Sequence, residues 1–434
     1  MSESLNARIE RQYALSAAGL LRSISPKLTK RRPGFGQSIG AAPGSVVASP
    51  VLADYDPEPD YFFHWYRDSA IVMEALRLLR LDASVQVEGA RLFNDFLTFS
   101  RSLLTAPAIQ DFSRVAEDHR QYLRDLNELS QVHGSRVLAE TRVNPDGTLD
   151  ISRWARPQYD GPALRALTLM RWLSVAGVDQ AALESLLEAD LEFTLQFGGS
   201  SCYDIWEEED GYHYYTQRVA AAALGRGALW YEARGQYPKA MKCGTRAVAL
   251  RRTLNAYLQP NEGAYRSRLL RDGSRSAKEW DIAVILAALH AEPADAKSAG
   301  GLHSVLDPAM RKTLDLLEGI FAKEYPLNQR RGPGKGVALG RYAKDKYYSG
   351  GPYFFSTLGA AEFCYRAAAG AADGATLIAR GDGYLAMALA HAPADGRLAE
   401  QFDRDSGEPR SAKDLAWSHA ALISCLTARR LQVA

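Results

Sequence analysis

Apolar residues recur at three- and four-residue spacing through much of the chain, as in Ala70, Val72, Met73, Leu76 and Leu79. That is the period of a helix with one face turned inward. No alternating run lasts long enough to build a large sheet. The pattern predicts twelve helices, near 5–24, 67–81, 86–105, 160–176, 180–196, 213–234, 237–258, 277–290, 307–323, 352–370, 373–391 and 411–428. An inserted helical stretch is expected near 107–131. The chain reads as all-α.

The irregular segments between these helices are aromatic and charged, and they are not scattered. Asp60-Tyr-Phe-Phe-His-Trp-Tyr-Arg-Asp68, Trp154-Ala-Arg-Pro-Gln-Tyr-Asp-Gly-Pro162 and Tyr203-Asp-Ile-Trp-Glu-Glu-Glu209 precede the second, fourth and sixth helices. Ala277-Lys-Glu-Trp-Asp281, the run from Gly340 to Pro352, and Glu400-Gln-Phe-Asp-Arg-Asp-Ser-Gly407 precede the eighth, tenth and twelfth. If odd and even helices run antiparallel in two concentric rings, all six segments share one end and line one funnel. An open solenoid of helix pairs is the rival arrangement, but solenoids repeat in sequence and no repeat is found here.

Length and composition narrow the reading further. The 434 residues hold no Pro, Ser or Gly tract and no charge block of a linker kind, so one large domain over 1–434 is expected. Apolar residues make up 47% and charged ones 24%, and the net charge of +1 argues against a nucleic-acid or membrane-surface partner. An uncharged sugar fits that balance. The N-terminal residues mix charges with an amphipathic run and offer no signal peptide. No window is apolar enough for a membrane span. Cys202, Cys243, Cys364 and Cys425 lie far apart, which favours buried or free thiols in a reducing compartment over a disulfide framework. A cytoplasmic location is therefore expected. No CxxC, HExxH or clustered His stands among the eight histidines, so neither metal nor cofactor is expected. The Gly34 to Gly40 run and Gly332-Pro-Gly-Lys-Gly336 lack dinucleotide and phosphate-loop spacing and read as loops.

In order, and over most of the chain from about Gly44 to Trp417, the segments resemble the catalytic domain of glucoamylases, family 15 of the glycoside hydrolases. The resemblance is carried by residues 61–69, 156–165 and 203–208, by Gly340-Arg-Tyr and Tyr347-Tyr-Ser-Gly-Gly-Pro352, and by Glu400-Gln-Phe-Asp403 with Ser411-Ala-Lys-Asp-Leu-Ala-Trp417. Any one of these is weak; six in register are specific. The resemblance implies an (α/α)6 barrel that releases β-glucose from the non-reducing ends of α-linked chains. It also implies Glu207 as general acid and Glu400 as general base.

The chemistry agrees with that assignment. Inverting hydrolysis needs a protonated carboxyl beside the leaving oxygen and an ionised one about 6.5 to 9.5 Å away, with water between. Two distant loops can supply such a gap. Trp206 and the neighbouring acids are expected to raise the pKa of Glu207, while the polar loop around Glu400 is expected to keep it ionised. Glu207, Glu208 and Glu209 cannot share one job, because successive side chains diverge. The resemblance puts Glu208 on the leaving sugar and leaves Glu209, where the family has an apolar residue, to solvent. Without the family the triplet reads as an acidic first helical turn favoured by the dipole, a reading that the other five segments overturn.

The resemblance places Arg67 and Asp68 around the terminal glucose and Arg341 near the cleaved bond. Taken alone, the first pair reads as a helix cap and Arg341 as a surface partner of Asp345. Tyr61, Trp65, Trp154, Trp206, Tyr347 and Trp417 are candidate sugar platforms, though buried aromatics are ordinary core material. Gln401 completes the candidate set beside Glu400. The expected substrate is a soluble malto-oligosaccharide or polysaccharide, since the chain ends at Ala434 without a granule-binding module. A preference for α-1,6 links or trehalose, or a glucan-binding module without catalysis, are the alternatives. Oligomeric state is not legible.

Overall fold

The computed structural model describes residues 4–54, 57–83, 85–105, 112–298 and 300–433. Twelve long helices carry the fold among them. They are α1 (Leu5–Ser23), α2 (Tyr66–Leu81), α3 (Gly89–Thr105), α4 (Asp160–Trp172), α5 (Gln180–Phe197), α6 (Tyr214–Glu232), α7 (Tyr237–Leu254), α8 (Ala283–His290), α9 (Pro308–Glu324), α10 (Phe354–Ala368), α11 (Gly374–Ala390) and α12 (Ala416–Val433). Each periodic segment of the sequence has become one of them.

The even-numbered helices pack in a ring: α2 on α4, α4 on α6, α6 on α8, α8 on α10, α10 on α12, and α12 back on α2. The odd-numbered helices lie outside, α1 against α12, α7 against α6 and α11 against α10. The fold is an (α/α)6 barrel. Sequence decides which helix goes where. An inner helix is enclosed on all sides, and α10 keeps every residue from Phe354 to Ala367 buried. An outer helix needs one apolar stripe, and α7 buries Cys243, Ala247, Leu250 and Leu254 at helical spacing. Caps fix the outer starts: Asp179 accepts from Ala182 N (3.0 Å) ahead of α5, and Asp307 accepts from Ala309 N (2.9 Å) ahead of α9 with Pro308 in the first turn.

A fully buried ion pair helps to tie the two layers together. Arg165 of α4 grips Asp190 of α5 through Nε (2.9 Å) and Nη2 (2.7 Å), with both side chains fully buried. Removing one partner strands the other charge in a low dielectric. Asp190→Ala should therefore cost about 3 to 5 kcal/mol, read as a lowered urea midpoint at unchanged slope.

Several expected boundaries shift, and α12 runs Ala416–Val433 where 411–428 was expected. The stretch expected near 107–131 is not one helix: it holds the 3-10 turns Phe112–Arg114 and Glu117–Tyr122 and the short helix Leu126–Ser130. Residues 106–111 lie outside the described residues. Between Tyr122 and Arg124 the backbone pairs with residues 151–153 through an isolated bridge, Arg124 N to Ile151 O (2.9 Å) and Arg153 N to Tyr122 O (2.7 Å), in competition with a helical ladder. Helix α8 begins six residues late because Asp281 accepts from Ala283 N (2.8 Å) and caps it there. Helix α4 ends at Trp172, and Ser174 follows in the left-handed region (φ 60°).

The loops at the N-terminal ends of the inner helices contain short antiparallel strand pairs. His64–Trp65 pairs with Arg142–Val143, and Gln401–Phe402 with Pro409–Arg410. Cys202–Tyr203, Asp210–His213 and Arg268–Leu270 make a three-stranded sheet. Among the described residues no helix is long and apolar enough to cross a membrane. All four cysteines are buried free thiols.

Candidate active site

The acidic triplet lies in a hairpin turn, before helix α6 begins. Asp204, itself gripped by Arg268 Nη1 (2.6 Å), accepts from Glu208 N (2.8 Å), and its carbonyl accepts from Glu207 N (3.0 Å). The Arg268 charge holds the Asp204 carboxyl below its ordinary range against the opposing effect of burial. This turn forces Glu207 into the left-handed region (φ 65°), a conformation that costs a non-glycine residue about 1 to 3 kcal/mol. The three side chains part company as a result.

Glu207 receives three N–H donors. Trp65 Nε1 (2.8 Å) and Arg67 Nη2 (3.2 Å) reach Oε1, and Trp154 Nε1 reaches Oε2. The indoles expected to present a face therefore present their N–H edges, and they are Trp65 and Trp154, not Trp206. Behind them the buried Arg142 guanidinium lies 3.6 Å from the Trp154 ring centroid and 4.8 Å from that of Trp65. Trp206 instead donates to Asp281 (2.8 Å) and stacks on Phe355 and Trp417.

Arg67 is the hub of the floor rather than a cap. Its Nη1 donates to Asp160 (3.1 Å) and Gln158 (3.2 Å), and its Nε stands 3.7 Å from Asp68. Burial lifts the Asp68 carboxyl to about 6, with Arg67 opposing and Glu207 and Asp160 reinforcing.

Glu400 sits across the pocket at the edge of its hairpin, with its backbone N donating to Ala412 O (2.7 Å) and its carbonyl accepting from Phe354 N (3.1 Å). Ser411 Oγ donates to Glu400 Oε2 from a residue that is also left-handed (φ 62°). Burial pushes the Glu400 carboxyl up to about 7, while Ser411 and Arg341 pull it down and Asp68 and Asp345 push it up. The expectation that polar neighbours keep Glu400 ionised is thus opposed by its burial. Gln401 does not reach the pocket. It is fully buried, donates to Tyr353 Oη (2.8 Å) and Tyr347 O (3.1 Å), and anchors one loop to the next.

Glu208 faces the opposite wall. Arg341 Nη2 (2.9 Å), Tyr342 Oη and Lys278 Nζ (2.7 Å) all donate to it. Arg341 is also the partner of Asp345 (2.7 Å), but the pair is buried, not on the surface. Its loop passes so close to α9 that a Cβ on Gly340 would stand 2.0 Å from Tyr325 Oη, which explains the glycine. Glu209 is not left to solvent: it bonds Arg268 (2.9 Å) and Ser276 (2.7 Å).

Tyr61, Trp65, Arg67, Asp68, Trp206, Glu207, Arg341, Glu400 and Trp417 thus line one pocket of about 50 Å³ at the N-terminal ends of the inner helices. Trp154, Glu208 and Tyr347 join it at one remove, Tyr347 through its hydroxyl on that of Tyr61 (2.8 Å). Sequence reasoning quoted the segments holding Lys278, Asp281 and Ser411 without weighing those residues. Arg142 lay in no segment that stood out.

The barrel has counterparts among known proteins. The model of glycosyl hydrolases family 15 matches residues 35–380 and 375–427. The chain belongs to this family. It is a glycoside hydrolase. Similar relatives include a glucoamylase of Blastobotrys adeninivorans, 27% identical over 90% of this chain and 68% of its own length, and glucoamylase-1 of Schizophyllum commune, 28% identical over 99% and 75%. The glucoamylase structure from Saccharomycopsis fibuligera superposes with a TM-score of 0.81 at 23% identity, covering 99% of this chain and 96% of that one. That from Hormoconis resinae gives 0.80 at 27%, covering 99% and 74%. The family-15 chain shares its barrel with both.

Proposed function

We propose that the chain is an exo-acting glucan 1,4-α-glucosidase that releases β-glucose from the non-reducing ends of soluble malto-oligosaccharides by inversion. The observation that carries this reading is the pocket itself: Glu207 and Glu400 come from different loops and line one small cavity floored by Arg67 and Asp68. The forked donors and carboxylates around it suit the adjacent hydroxyls of a terminal sugar. Glu207 protonates the leaving oxygen and Glu400 activates water from the other side. Glu208, Arg341 and Tyr342 hold the leaving sugar, and Trp154 and Tyr347 flank the entrance. The closed ring supports a single catalytic domain, and four buried free thiols support a reducing, cytoplasmic setting.

Proton NMR of fresh product before mutarotation should show β-glucose first; α-glucose first would defeat the inverting mechanism. Glucose release from maltose, isomaltose, trehalose and maltoheptaose separates the α-1,4 reading from α-1,6 and trehalase readings. Release from none would leave a glucan-binding module.

One observation favours a second reading in which the two acids exchange roles. Burial holds Glu400 up to about 7, whereas Glu207 accepts from three N–H donors. Hydrolysis of maltose against α-glucosyl fluoride by the Glu207→Gln and Glu400→Gln variants decides between them.

A further inference from the structure

Three side-chain bonds stitch the acidic turn to the segment that leads into α8. Trp206 Nε1 donates to Asp281 (2.8 Å), Ser276 Oγ to Glu209 (2.7 Å), and Lys278 Nζ to Glu208 (2.7 Å). The first two end on buried residues, Asp281 and Ser276, and fix the two backbones against each other. The third is open to solvent, with 26% of the Lys278 side chain and 24% of that of Glu208 exposed.

The backbone beneath Lys278 is pinned. Its N donates to Ser276 Oγ (3.0 Å), its carbonyl accepts from Ser267 Oγ (3.1 Å), and the carbonyl of Glu279 accepts from Ser267 N (2.7 Å). On the other side the segment joins the Arg341 loop, where Ile282 N donates to Arg341 O (2.9 Å). The Lys278 ammonium lies 4.9 Å from the Tyr342 ring centroid, so Arg341, Tyr342 and Lys278 surround one carboxylate.

Glu208 does not need Lys278 to stay in place. Arg341 Nη2 reaches its Oε1 (2.9 Å) and Tyr342 Oη reaches Oε2, and an ion pair open to water adds little stability. What the lysine adds is hydrogen-bonding capacity. An ammonium carries three N–H donors. One is spent on Glu208, and no hydrogen bond among the described residues takes the other two. Glu208 Oε2 accepts from two groups but Oε1 from one, which leaves Oε1 able to accept again. Donors and an acceptor thus stand side by side, the complement of neighbouring sugar hydroxyls. No residue of 277–281 carries the family resemblance.

We propose that Lys278 is a specificity-determining residue for the leaving group: its ammonium donates to one hydroxyl of the leaving sugar while Glu208 accepts from the next. The inference rests on Glu208 facing the leaving side, as in the reading above.

Lys278→Met keeps an apolar stem beside Tyr342 and removes the donors. Its kcat/KM is measured on maltose, isomaltose and trehalose, and on α-glucosyl fluoride, whose leaving group carries no hydroxyl. Relative to the unaltered chain, the ratio of the best disaccharide to fluoride should fall about tenfold, the usual worth of a hydrogen bond from a charged group. Both rates scale with the amount of folded protein, so the ratio holds its meaning even if part of the variant misfolds. An unchanged ratio overturns the proposal, whether both rates persist or both fall together as a purely structural role would make them. The unaltered chain tests the reading beneath. If it cleaves no disaccharide, that reading fails and the leaving-sugar site with it; if it cleaves one and the ratio stays put, the inference alone fails.

Discussion

Glu207→Gln should lose on the order of 10² to 10⁴-fold in rate on maltose, the usual worth of general acid catalysis, yet keep much of its rate on α-glucosyl fluoride. An alkoxide leaving group needs a proton; fluoride departs with little help. The substitution is nearly isosteric and leaves Oε1 able to accept from Trp65 and Arg67. The amide nitrogen meets the Trp154 N–H, so some loss of positioning on both substrates is expected. A near-complete loss on fluoride as well, matched by survival of fluoride hydrolysis in the Glu400 variant, would reverse the two assignments.

Glu400→Gln should be slow on both substrates, because unactivated water attacks neither leaving group well. The same residue makes a pH prediction. As a base it works ionised, so kcat/KM falls as pH drops through its free-enzyme pKa. Burial raises that pKa from 4.5 to about 7, so the acidic limb should lie well above the ordinary carboxylate range. Ser411 donates to the ionised form and pulls the value down. Ser411→Ala should therefore move the limb to still higher pH, with no added backbone strain, since both are L residues at the same positive φ. A limb that stays put, or moves down, would remove Glu400 as the group it reports.

The sequence spoke most clearly where periodicity is strict. Apolar residues at three- and four-residue spacing mark each helix, and the aromatic and charged segments between them break that spacing, so number and order of helices were readable. Their ends were less so, because ends depend on caps such as Asp281 that compete with continuing the helical ladder. The residues 112–131 misled for a related reason: they hold helix-forming side chains, but the backbone at Tyr122 and Arg124 pairs with residues 151–153 and breaks the helix into short turns. The site was legible as segments, since six aromatic and charged loops came before six alternate helices. Their internal wiring was not. Nothing local tells that Trp206 turns to Asp281 while Trp65 and Trp154 turn to Glu207, nor that Glu209 finds Arg268, because each partner comes from a different loop. The pKa expectations for the two acids drew on neighbours in sequence; the burial of Glu400 comes from neighbours in space.

The return of α12 onto α2 has a consequence for how the protein is made. The last inner helix closes against the first, across more than 330 residues of intervening chain, so the contacts that finish the barrel are among the most distant in sequence. Loop closure of that span must precede any reward from the seam, which makes the final step entropically late. During synthesis the ribosome would release the earlier helix pairs with an open groove along α2, and Glu400 and Trp417 arrive only near the end of translation. If Glu400 is the base proposed above, the nascent chain is inert until the ring shuts, and competence and the completed fold appear in the same event.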